Sequence, residues 1–291
     1  MNDIFVFVSI IIYLCRIKPF YMRAYIYNII FLFAAVSLLF GCGNDDRSVS
    51  KVDGIEFDNI VVDTTARLTA DANSPSCRIS LHMCYATGRN ADKINDSIIR
   101  SGILLPDYLS LSDMKMNVKQ ATDSFIKRYI DDYRSFYTKI FKDLPTTQQA
   151  DLEYLMHSHI EKGDNGIACY IADICNRNGM AETRYTIVKN ILTSNGHIMT
   201  FDDVFAPGAD KPLSRLIGEK LCEMTGCDNE DELFDKGYFA NGNIYPSQNF
   251  MLCDDGIEFI YIVGEIADRD KGEIRIKTDY DDMKRIMKKW N

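Results

Sequence analysis

Val118, Ala121, Phe125, Tyr129, Tyr133, Phe136 and Ile140 recur every three or four residues, so a single helical face carries them all. With Ser112 as N-cap and Leu144-Pro145 as the stop, that helix has about thirty residues and a length of ~45 Å. A helix so long crosses a whole sheet, and its aromatic side, Phe125 to Phe141, is expected to pack there. A ligand platform is the alternative use of the same rings.

From Asp151 the apolar period drops from 3.6 to two. Asp151 to Ile160, Gly166 to Cys175 and Glu182 to Thr193 read as strands, the last closing on the tight turn Ser194-Asn195-Gly196. Upstream, Ile55 to Leu68 and Cys77 to Ala86 read as strands around the turn Asp71 to Pro75, and Asn90 caps a short helix striped by Ile94, Ile98 and Ile99. Downstream, Thr200 to Asp203 is a capping box. A helix follows from Asp210, with Pro212 in its first turn and Gly226 at its C-terminal cap. Phe250 to Val263 is a hairpin about Asp254-Asp255-Gly256, Glu273 to Thr278 a further strand, and Asp279 to Trp290 a closing helix. Helices and hairpins in mixed order predict an α+β fold. It is expected to have two sub-domains, 55–145 and 146–291, with mainly antiparallel sheet packed by helices, one of them long.

The N-terminus is of another kind. Ile29 to Phe40 is charge-free and apolar, ends in Leu39-Phe40-Gly41-Cys42, and gives way at once to polar sequence from Gly43. A leucine, one residue, a small residue and a cysteine after an apolar run of signal-peptide length is the pattern cut by the bacterial lipoprotein signal peptidase. Residues 1–41 are therefore expected to be removed, leaving Cys42 lipidated and 42–54 as a tether. An ordinary membrane anchor with an incidental cysteine is the other reading, although the run is short for a bilayer. Ile4 to Leu14 is a second apolar stretch, so translation is expected to start at Met22, with a long n-region as the alternative; both give the same mature chain. The acidic pair Asp45-Asp46 resembles a surface-export tag, and Gly43 stands where an inner-membrane retention signal would have aspartate. An outer-membrane, surface-exposed location follows as the expectation.

Loss of Arg16, Lys18, Arg23 and Asp3 with the leader leaves 30 basic and 41 acidic side chains, a net charge of −11. That surface disfavours nucleic acid and anionic lipid, which require a basic footprint, and suits a basic protein ligand. Cys77, Cys84, Cys169, Cys175, Cys222, Cys227 and Cys253 remain beside Cys42, with no CxxC spacing. They read as small buried hydrophobes rather than a disulfide framework or zinc site.

Chemistry is sparsely marked. His157 and His159 share a strand face and are the one pair spaced to grip a metal ion; no third ligand is suggested by spacing, since His82 and His197 lie far off in sequence. Exposed strand histidines are the plainer expectation. Asp202-Asp203 and Asp254-Asp255 are explained by a helix cap and a hairpin turn. Nucleophile elbows, glycine-rich phosphate loops and cofactor motifs are missing. No catalytic residue and no cofactor is expected.

Ser194-Asn195-Gly196-His197-Ile198-Met199-Thr200-Phe201-Asp202-Asp203-Val204-Phe205, the hairpin Asp254 to Tyr261, and Gly264-Glu265-Ile266-Ala267 with Gly272 together resemble an extracytoplasmic module. It is the module shared by RsiV-type anti-sigma factors and PdaC-type peptidoglycan deacetylases, found also on its own in lipoproteins. Where the family often has Pro-Tyr before Glu-Ile-Ala, Val263-Gly264 stands here. The resemblance implies a non-catalytic binding module for a cell-wall glycan or an extracytoplasmic protein such as a lysozyme-like partner. An envelope enzyme acting on peptidoglycan and an anti-sigma-like signalling component are the alternatives it leaves. The first would need the deacetylases' separate catalytic segment, the second a cytoplasmic domain and a membrane-spanning helix.

Overall fold

A computed structural model describes residues 50–142 and 150–289. The leader, Cys42, most of the tether, Leu144-Pro145 and Trp290 lie outside the described residues. A six-stranded sheet is laid down in chain order: β1 (Lys51–Val52), β2 (Ile55–Arg67), β3 (Ser76–Thr87), β4 (Leu152–Lys162), β5 (Ile167–Asn178) and β6 (Ala181–Leu192). Every neighbouring pair is antiparallel except β3 and β4, which run parallel. A parallel pair needs a long crossover, and α1 (Ala91–Arg100) and α2 (Val118–Phe141) lie within it. The long helix thus covers one face because the chain must return to the same end of the sheet.

That face is apolar by simple alternation. Cys77, Ile79, Leu81 and Met83 on β3 and Tyr154, Met156 and Ile160 on β4 are buried in one core with Ile94, Ile98 and Phe125. Arg78, Ser80 and His82 point to the opposite face. On that side a second core forms around α3 (Phe201–Val204), α4 (Asp210–Thr225), α5 (Glu230–Asp235) and a three-stranded antiparallel sheet. The sheet comprises β7 (Phe250–Leu252), β8 (Gly256–Tyr261) and β9 (Ile274–Asp279), and α6 (Tyr280–Met283) follows it. β5 feeds both cores: Ala168, Tyr170, Ala172 and Ile174 enter the first, Ile167, Cys169 and Ile171 the second. A strand buried on both faces reads as a continuous apolar run, and Ile167 to Ile171 is one. The architecture is α+β, and strands from both sides of residue 145 share the larger sheet.

Five local expectations are corrected. The cap of α2 is Asn117, not Ser112: Asn117 Oδ1 accepts from Gln120 N (2.9 Å) while Gln120 Oε1 accepts from Asn117 N (3.0 Å). The carbonyl of Ser112 accepts instead from the Arg100 guanidinium, and the 24-residue helix is ~36 Å long. Its stripe is buried only in part, since Phe136 and Ile140 are 60% and 42% exposed. Asn90 holds the cap position of α1 without capping; its Nδ2 donates to the carbonyls of Thr193 (3.1 Å) and Ser194 (3.0 Å). The expected tether ends early, because Val52 is buried and Lys51–Val52 pairs with Ile55 and Glu56. The closing helix stops at Met283, as the next residues pair with α3's exit: Ala206 N donates to Ile286 O and Lys288 N to Val204 O, both 2.8 Å.

The turn chemistry does follow the sequence. Thr200 and Asp203 form the capping box of α3. The Thr200 backbone N–H and hydroxyl, joined by His197, hold the Asp203 carboxyl down at about 2. Gly226 closes α4 at φ 64°. Gly196 takes φ +80° and lies so close to α1 that a Cβ would stand 2.9 Å from Ile94 N.

Candidate functional site

Two surfaces carry side chains in excess of what packing requires. The first is the outer face of the large sheet. His157 and His159 lie on it as expected, with ring centroids 6.1 Å apart. The register sets His82 opposite His157 on β3 and Asp173 opposite His157 on β5. Ligating atoms of His157, His159 and Asp173 all fall within 4.8 Å of one another, and the His82 ring is 6.0 Å from that of His157. The third group absent from the sequence spacing is therefore supplied across the strands. A cleft of about 840 Å³ opens here, bounded by His82, His157, Asp173 and Thr186 and walled by Gly272 and Glu273 where the second layer stops. His197 is elsewhere, against Asp203 (2.9 Å), and Asp255 pairs with Lys277 (2.7 Å).

The second surface lies on the helical side. Phe125 is buried among the rings of Tyr108, Tyr129 and Tyr154, with centroids 5.9, 5.7 and 5.4 Å away. From Tyr129 onward the stripe runs beside a groove of about 700 Å³, lined by Tyr108, Tyr129, Tyr133, Phe136 and Tyr137 together with Asp132 and Asn176. Tyr108 donates to Asp132 Oδ2 at 2.5 Å. Tyr133 is buried and its hydroxyl has no hydrogen-bond partner among the described residues; such a group costs about 1–3 kcal/mol. Burial pushes the Tyr133 phenol up to about 12, and burial likewise raises Tyr108 and Tyr129. These hydroxyls stay protonated and neutral at physiological pH. The helical period located Tyr129, Tyr133, Phe136 and Tyr137 but not Tyr108, and gave no sign of which would be covered.

A larger concavity of about 890 Å³ beside β2 is weaker in chemistry. Its best-placed polar groups are spent on the fold: Asn95 brackets the Ala86 backbone, Asn117 caps α2, and Asp96 pairs with Arg100. All seven cysteines of the described residues are free, and five are buried. Burial pushes the Cys77 and Cys84 thiols up to about 12 and Cys169 well above its ordinary value. Thiols so raised are poor nucleophiles.

Residues 202–281 match the family model described as "Protein of unknown function (DUF3298)". The match runs from α3 to α6. The chain is similar to the crystal structure of a DUF3298 family member from Bacteroides fragilis NCTC 9343, with 23% identity, 81% of this chain and 94% of that one covered, and a TM-score of 0.71. A DUF3298 family protein from Pseudomonas aeruginosa PAO1 is similar over 81% of this chain and 95% of its own, with 10% identity and a TM-score of 0.54. At these identities the likeness is one of fold. A comparison with curated proteins finds no match. Among the described residues, no helix is long and apolar enough to cross a membrane.

Proposed function

We propose that this protein is a lipid-anchored binding protein of the bacterial cell envelope and that it takes a cell-wall glycan into the aromatic groove along α2. The observation that carries the reading is the groove itself: five aromatic side chains around one concavity, with Asp132 and Asn176 at its edge. Sugars present apolar C–H faces that stack on rings and hydroxyls that need directional partners, and a site with apolar walls and few polar groups offers both. The unpartnered hydroxyl of Tyr133 adds a donor that a glycan hydroxyl would engage after a small ring movement. The resemblance to the RsiV and PdaC module supports a ligand of the envelope, since its members are implied to accompany peptidoglycan chemistry or to bind lysozyme. Binding without catalysis is part of the proposal.

Anchoring rests on Leu39-Phe40-Gly41-Cys42. Metabolic labelling with a fatty-acid analogue is expected to mark the wild type and not Cys42→Ala, and outer-membrane fractions are expected to hold the labelled protein. Equal labelling of both forms would remove the anchor from the account.

For the groove, thermal shift and calorimetry with soluble peptidoglycan fragments are expected to show binding that Phe136→Ala weakens by about tenfold. That corresponds to about 1.4 kcal/mol, the scale of one aromatic stacking contact. Because Phe136 is 60% exposed, its loss should change the stability of the free protein by no more than ~0.5 kcal/mol. A basic protein such as lysozyme serves as the comparison. Tight, salt-sensitive binding of that protein without any glycan binding would replace the groove with the acidic surface as the site. Turnover of a peptidoglycan fragment would overturn the non-catalytic reading.

A further inference from the structure

We propose that the outer face of the large sheet holds a divalent transition-metal ion through His157, His159 and Asp173. Two imidazoles and one carboxylate form the donor set that suits zinc and its neighbours rather than calcium or magnesium, which favour all-oxygen shells. The three groups come from adjacent strands in fixed register, β4 supplying both histidines and β5 the aspartate. Their ligating atoms already lie within 4.8 Å of one another. Tetrahedral bonds of 2.0–2.1 Å place ligand atoms ~3.3 Å apart. The remaining approach, at most about 1.5 Å, is within reach of χ rotation in side chains that stand on a sheet surface.

The surroundings have the features of a metal site's outer shell. Thr186 Oγ1 donates to Asp173 Oδ1 at 2.9 Å and orients the carboxylate. Glu161, largely buried, places Oε1 3.6 Å from His159 Nε2. At that distance the carboxylate is an electrostatic neighbour rather than a hydrogen-bond partner, and its negative charge favours a cation held on the ring's other nitrogen. The cations lining the same cleft are neutralised by their own partners, Arg78 by Asp63 (2.7 Å) and Arg184 by Glu182. An incoming dication therefore meets little uncompensated positive charge. With three protein ligands on an open face, coordination positions remain for water or for the neighbouring His82, as in sites that keep an exchangeable ligand.

The test uses the full chain stripped of metal with chelator, then titrated with Zn²⁺ by calorimetry and with Co²⁺ by absorption spectroscopy. The expected result is one tight site, with Co²⁺ d–d bands and no thiolate-to-metal charge-transfer band. His157→Gln and Asp173→Asn are each expected to weaken it by at least ~10-fold, and His197→Gln to leave it unchanged. Both ligand variants lie on the sheet surface, and their metal-free melting temperatures should equal the wild type's; if one fails to fold, the other decides. Thiolate charge-transfer bands, affinity unchanged in the folded ligand variants, or no binding at millimolar Zn²⁺ would each overturn the assignment.

Discussion

Replacement of Phe125 by alanine is expected to lower the free energy of unfolding by about 3–5 kcal/mol, the range for truncating a fully buried aromatic. The side chain has no exposure and sits at the centre of a ring cluster made by Tyr108 from the loop, Tyr129 from α2 and Tyr154 from β4. Those three rings cannot all move inward to fill the hole, because Tyr154 Oη accepts from Leu105 N (3.3 Å) and Tyr108 is held by Asp132. The cost therefore belongs at the upper end. Phe125→Asp should be worse, since it places a carboxylate in the same space without a partner. Urea unfolding at neutral pH measures both. A Phe125→Ala variant that unfolds at the wild-type midpoint would mean that α2 does not pack through this face.

Asn190→Ala is expected to cost about 2–6 kcal/mol by a different route. Asn190 is a buried amide on β6 that joins the two sheets: Nδ2 donates to Phe250 O (2.8 Å), and Oδ1 accepts from Leu252 N (2.9 Å). Alanine leaves a backbone donor and a backbone acceptor of β7 buried and unpaired, at about 1–3 kcal/mol each. Asn249 makes the reciprocal bridge, donating to Thr186 O and accepting from Val188 N (2.7 and 2.8 Å). The two amides act on one seam, so the double variant should lose less than the sum of the singles. Hydrogen exchange should quicken at Leu252 and Val188 first. Unchanged protection there would show that the seam is held by apolar packing alone.

Much of this organisation was legible in the residues. Strand periods placed β2 to β6 within a few positions, and Asp254-Asp255-Gly256 marked the β7–β8 hairpin. The Thr200–Asp203 box and Gly226 marked helix ends because each satisfies backbone groups locally. What escaped depends on residues far apart in the chain. Ser112 and Asn117 both suit an N-cap, and the choice fell to Asn117 because Gln120 completes its box while the 112 carbonyl is taken by Arg100. Asn90 looks like a cap but spends its amide on the 193–194 turn, a tertiary contact no local pattern encodes.

The same holds for the candidate sites. His157 and His159 were visible as a pair, yet Asp173 joins them only through the β4–β5 register, and His82 only through a parallel pairing across a crossover. The α2 stripe gave the groove's aromatic residues other than Tyr108, but not which of them would be covered: Tyr133 and Phe141 are buried, while Phe136 between them is exposed.

The central claim is that a cell-wall glycan occupies the aromatic groove, and titration of isotopically labelled protein with a soluble peptidoglycan fragment tests it most directly. The account predicts that ring resonances of Tyr108, Tyr133, Phe136 and Tyr137 shift first and saturate together, while those of Phe205 and Phe259 in the second core stay fixed. Shifts confined to the surface of the second core, or none at millimolar fragment, would contradict it.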